Sequence, residues 1–148
     1  MVQAPGQQHL TLSVRTSVIV ALASGLVSIG LAVGAWPRAA SVLVVGIVCG
    51  AIVGLLQARA IKQAPDTFAS AATALAVRAA LMATPAGKLA IWLQWLTILP
   101  LFAAWFSAGA KPAFAPIAGY AAFMCLREIA SLPGLLALRH VRESHHAK

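Results

Sequence analysis

Between Arg38 and Arg59 lie 20 consecutive uncharged residues, and that single run constrains the fold more than any other feature. As an α-helix it is about 30 Å long, which matches the hydrocarbon core of a bilayer. Within it, Gly46, Gly50, Gly54 and Ala58 recur every fourth position. On a helix this beat bares a strip of backbone along one face, a glycine-zipper pattern that admits a second helix at close range.

Three further apolar runs follow the same plan. Only 9% of the 148 residues are charged and 61% are hydrophobic, whereas a water-facing domain carries nearer a quarter charged. The expected fold is all-α: a single integral-membrane domain over 1–148, a four-helix transmembrane bundle made of two hairpins. The expected spans are approximately 16–35, 39–58, 89–108 and 113–133. An Ala-rich interfacial helix is expected over approximately 67–84, and a basic tail over 139–148.

The first run, Val18 to Ala35, imitates a secretory signal peptide with its charged lead and AVGA end. Its core is long, and the next span begins straight after Trp36-Pro37-Arg38, so a retained helix is expected. Gly30 and Gly34 extend its small positions and are expected to serve helix packing, as are Gly46, Gly50 and Gly54. The short turn makes packing of the second span's stripe against the first the expected arrangement, with self-association of the stripe as the alternative.

Charge placement sets the expected topology. With four spans, Arg15, Arg59, Lys62, Arg78, Lys88, Arg127, Arg139, Arg142 and Lys148 share one side, and only Arg38 and Lys111 lie on the other. The positive-inside rule then puts both termini in the cytoplasm of a cell inner membrane. Making the Thr67–Thr84 segment a fifth span would destroy that asymmetry and place Arg78 near mid-bilayer, at about 2.5–3.5 kcal/mol. Asp66 is the expected N-cap of this segment. Val77 and Leu81 fall roughly opposite Leu75, so its apolar face is not clean.

In the third span, Pro100 cannot donate to the Leu96 carbonyl and interrupts the helix. Gln94 and Thr97 share a polar face, while Trp92, Trp95 and Trp105 suit the two interfaces. Gly87-Lys88-Leu89 followed by Trp95-Leu96-Thr97 resembles the start of the third span in small ATP synthase subunit I proteins. Those proteins also have four spans and a basic link after the second. The acidic residue usual before that Lys is absent here. The resemblance implies an assembly factor.

Glu128 is the acidic residue inside an apolar run, a position that by default points to an ion or proton site. Its depth in the inner leaflet favours a structural pair over a transport site. Arg127 precedes Glu128, but neighbours on a helix point about 100° apart. The expected partner of Glu128 is therefore Arg78, Arg59 or Lys62, and Glu128, Arg127 and Arg78 form the candidate intramembrane charge site. Cys49 and Cys125 lack metal-ligand spacing and read as small hydrophobes. His140, His145, His146 and Glu143 lie in the basic tail, which suits anionic lipid better than a metal.

No catalytic, cofactor or metal motif is expected. The basic residues lack the interleaved aromatics of a nucleic-acid surface. The expected partners are the bilayer, with anionic lipid at the cytoplasmic face, and a membrane-protein partner or further copies of the chain. The favoured role is a non-catalytic accessory, assembly or structural subunit. The alternative is a small ion- or proton-coupled transporter or channel using Glu128, and a third class is a membrane-lesion protein.

Overall fold

The computed structural model describes residues 14–146 except 38, 72 and 111; side chains at 35, 74 and 142–146 are outside the description. Seven helices form: α1 (Val14–Ala35), α2 (Ala40–Gln63), α3 (Pro65–Ala69), α4 (Ala74–Ala83), α5 (Pro85–Leu96), α6 (Ile98–Ser107) and α7 (Ala115–His146). Among the described residues there is no strand. Four helical stretches are long and apolar enough to cross a membrane: Val14–Gly34, Ala40–Gln63, Pro85–Ser107 and Ala115–Val141. The chain is a multi-pass membrane protein.

The helix that meets the glycine stripe is α7, not α1. A β-carbon on Gly46 would lie 2.1 Å from the Gly119 carbonyl oxygen, one on Gly50 2.3 Å from that of Phe123, and one on Gly54 2.4 Å from that of Arg127. Each of these pairs is separated by 73 residues, so α2 and α7 run parallel. Farther along, Gly134 of α7 mirrors the same approach, since a β-carbon there would sit 2.7 Å from Ala58 Cα. Only glycine tolerates such contact with foreign backbone, and the gain is dispersion along two closely apposed helices.

Helix α1 also packs on α7, but antiparallel. Its buried positions Ser17, Ala21 and Ser28 form one stripe, and the Ser28 hydroxyl donates to the Ala118 carbonyl at 3.1 Å. A β-carbon on Gly25 would approach Cys125 Sγ to 3.2 Å. Antiparallel packing joins α2 to the third span: Val42 clusters with Leu101, and Val53 clusters with Ala90. Short turns do link α1 to α2 and α6 to α7, yet the first helix of each linked pair packs chiefly on the second helix of the other. A short loop restricts where the next helix starts, whereas the small-residue faces decide where it packs.

Gly30 and Gly34 do not take part in such close packing within the chain. A β-carbon on Gly30 would meet nothing within 4 Å, and one on Gly34 would reach only Phe114 at an ordinary 3.8 Å. Both lie on the exposed side of α1, because the face turned to α7 is the one carrying Ser17, Ala21 and Ser28.

The connecting segment differs from the single helix expected over 67–84. It is two short helices, α3 and α4, broken around Ser70–Thr73. Asp66 does not cap; Ala64 occupies that position and Pro65 the next, where its missing N–H is harmless. Asp66 sits in the first turn, favourable to the helix dipole. Thr73 starts α4, its hydroxyl accepting from Ala76 N–H at 3.2 Å. The break lets each piece choose its own face: Phe68 is fully buried, Val77 and Leu81 pack on the core, and Leu75 is 78% exposed.

Thr84 then caps α5, accepting from Gly87 N–H at 3.1 Å. The third span consequently begins at Pro85, four residues before Leu89. It breaks at Thr97, whose hydroxyl donates to the Leu93 carbonyl at 2.7 Å, three residues before Pro100. Helix α7 continues far past residue 133 as a 32-residue helix with Pro133 inside it, so the basic tail begins on a helix rather than on free chain. Of the tail, Arg142, Glu143, His145, His146 and Lys148 have side chains outside the description, as do the loop residues Arg38 and Lys111.

Candidate functional site: a polar cavity around Arg127 and Glu128

Arg127 lies 12 residues into α7, about 18 Å along it at 1.5 Å per residue. Here the α1, α2 and α7 faces diverge enough to leave a cavity of about 160 Å³, roofed by α3 and α4. Ser17 comes from α1, Gln57 and Ile61 from α2, Phe68 from α3, Val77 and Leu81 from α4, and Arg127, Glu128, Ser131 and Leu135 from α7. The cavity thus has a polar wall, mostly from α7, and an apolar roof.

Glu128 pairs with Arg127, not with Arg78, Arg59 or Lys62. Arg127 Nε donates to Glu128 Oε1 at 3.1 Å, and Nη2 donates to the same oxygen. The long guanidinium arm bends across the angle between adjacent helical positions. Both side chains are mostly enclosed, 16% and 14% exposed. In contrast Arg59, Lys62 and Arg78 are exposed, and Arg78 does not belong to the pair. Two charges left separately at this depth would each bear a desolvation penalty; as a contact pair they offset part of it.

The Ser131 hydroxyl donates to the Glu128 carbonyl at 2.8 Å. Among the described residues, no hydrogen bond within the protein engages the Ser17 hydroxyl or the Gln57 amide, and no enclosed side-chain nitrogen or oxygen lacks a partner. Ser17 and Gln57 thus line the cavity without an intramolecular partner among the described residues.

Sequence reasoning singled out Arg127 and Glu128 but missed Ser17, Gln57 and Ser131. Their signal was present: each is a polar residue in an apolar span, close to its basic end. It carried no information about which helices converge. Gly87 also acquires a local reason, because a β-carbon there would lie 2.1 Å from the Leu81 carbonyl oxygen at the α4–α5 corner.

The described residues offer no other chemistry of this kind. A second hollow of about 310 Å³, between α2 and the break in the third span, is apolar apart from Thr97. Cys49 and Cys125 are free thiols, and no group of three or more His, Cys, Asp or Glu converges among the described residues. No protein-family model matches the chain, and comparison with curated proteins and with solved structures likewise gives no match.

Proposed function

We propose that the protein is a non-catalytic accessory, assembly or structural subunit of a membrane complex. One observation carries this reading: Glu128, the acidic residue of the spanning helices, is held by its neighbour Arg127. A carboxylate committed to a contact cation is poorly placed to take up and release a proton or a metal ion. Other polar groups of the spans have structural partners: Ser28 bonds across to α7, Thr84 caps α5 and the Thr97 hydroxyl bonds back to the Leu93 carbonyl.

In this reading the basic end faces the cytoplasm of a bacterial-type inner membrane, with α3 and α4 at the interface. Exposed Arg15, Arg59, Lys62, Arg78 and Lys88 support it, because such residues are retained on the cytoplasmic side and attract anionic lipid. An assembly role like that of ATP synthase subunit I is one form of the proposal, resting on Gly87-Lys88-Leu89 and Trp95-Leu96-Thr97. The corner at Leu81 gives Gly87 a structural reason that needs no shared role.

Blue-native electrophoresis of the endogenous protein tests the reading. Migration in a larger hetero-complex is expected, and a monomer under every mild extraction overturns it. The second reading, a small transporter, draws on the polar cavity itself. It predicts ion or proton flux in liposomes that Glu128→Gln abolishes; absence of flux removes it.

A further inference from the structure

We propose that the cavity beside Arg127 and Glu128 binds a small zwitterionic group, a primary ammonium joined to a phosphate or carboxylate. This goes beyond the accessory-subunit reading and does not depend on it.

The first support is unused bonding capacity. Arg127 directs Nε and Nη2 to one carboxylate oxygen, which leaves the Nη1 donors and Glu128 Oε2 uncommitted among the described residues. Ser17 is 7% exposed, yet its hydroxyl has no partner there and lines the same cavity. The Gln57 amide adds a donor and an acceptor. A group with a cation at one end and an anion at the other meets all four.

The second support is an internal comparison. Helices α2 and α7 run parallel and meet at positions 73 residues apart, Gly46 at Gly119 and Gly50 at Phe123. The same seam reaches the charged level at Gly54, which meets the Arg127 backbone. At Gly46–Gly119 and Gly50–Phe123 the same seam closes without any charge, so helix pairing of this type does not require the ion pair.

Charge and size then select the ligand. The pair is neutral, so a lone anion would face Glu128 and a lone cation would face Arg127. A zwitterion adds no net charge and satisfies both. About 160 Å³ holds about five waters at ~30 Å³ each, the scale of a phosphoethanolamine group. The apolar roof of Phe68, Val77 and Leu81 suits the start of a lipid tail or the carbon backbone of a free solute.

Native mass spectrometry of the full-length protein, released from nanodiscs of stated composition, tests this. In equimolar phosphatidylethanolamine and phosphatidylglycerol the protein should retain the former by about tenfold, the factor associated with one charged hydrogen bond. Phosphatidylcholine, whose quaternary ammonium has no N–H, should be retained less. Glu128→Gln, which keeps the side-chain volume, should invert the preference toward phosphatidylglycerol, because Arg127 then stands unbalanced. Gln57→Leu should weaken retention of phosphatidylethanolamine without inverting the preference.

Soluble phosphoethanolamine added to the detergent-solubilised protein separates the sources. A mass shift with displacement of lipid assigns the site to the free zwitterion, and lipid retention unaffected by it assigns the site to the headgroup. The proposal is overturned if neither probe is retained, if phosphatidylglycerol is preferred by the unmodified protein, or if both variants, folded by circular dichroism, leave retention unchanged.

Discussion

Gly46 and Gly119 stand so close across α2 and α7 that a β-carbon on the first would lie 2.1 Å from the carbonyl oxygen of the second. Neither backbone can yield without parting the helices. The contact joins two elements far apart in sequence and makes α7 the common support of α1 and α2.

Substitution along this seam is therefore expected to be costly. Gly50→Leu drives a side chain into the Phe123 backbone, at 2.3 Å from its carbonyl oxygen even for a β-carbon. Overpacking of this kind costs about 1–3 kcal/mol, and more where backbone must move. Gly30→Leu meets nothing within 4 Å and should change stability by less than about 0.5 kcal/mol. Thermal unfolding in mild detergent compares them; equal effects would contradict the assigned faces of α1 and α2.

The ion pair makes a prediction about coupling. Glu128→Gln leaves a mostly enclosed Arg127 unbalanced and is expected to destabilise by about 2 kcal/mol, below the roughly 3–5 kcal/mol of a fully buried pair. Arg127→Gln combined with Glu128→Gln should recover most of that loss, since both charges go together. A double-mutant cycle measures it. Strict additivity would mean that the two side chains act independently.

At the α4–α5 corner, two small changes should act locally. Thr84→Ala removes the hydroxyl that accepts from Gly87 N–H and should cost about 1 kcal/mol. Gly87→Ala places a methyl against the Leu81 carbonyl and should cost more. Hydrogen exchange is the suitable readout, with faster exchange confined to α3–α5. Loss of protection throughout α7 would show that this corner holds more of the molecule together than its contacts imply.

The spans were legible in the sequence because length and hydropathy are properties of each run by itself, as the uncharged stretch from Ala39 to Ala58 illustrates. The residues of the small-residue beat, Gly46, Gly50 and Gly54, lie on the face of α2 turned to α7. The neighbour of that face was not legible, because Gly46, Gly50 and Gly54 state only that some backbone comes close. Loop length pointed to α1, but α1 turns Ser17, Ala21 and Ser28 toward α7 and leaves Gly30 open. The break at Ser70–Thr73 was not legible: Leu75, Val77 and Leu81 all fall within α4, which packs Val77 and Leu81 on the core and leaves Leu75 exposed. The Arg127–Glu128 pair was missed because helical spacing describes where β-carbons point, and the arginine arm reaches beyond that.

The most direct test of α7 as the shared support is the disulfide partner chosen by Gly25→Cys under mild oxidation of the full-length protein. A β-carbon at position 25 lies 3.2 Å from Cys125 Sγ, a separation compatible with disulfide geometry. Direct pairing of α1 with α2 about the Pro37 turn would instead bring position 25 opposite Cys49. Peptide mapping by mass spectrometry is predicted to find position 25 linked to Cys125, joining α1 to α7 within one chain. A link from position 25 to Cys49 would contradict the account.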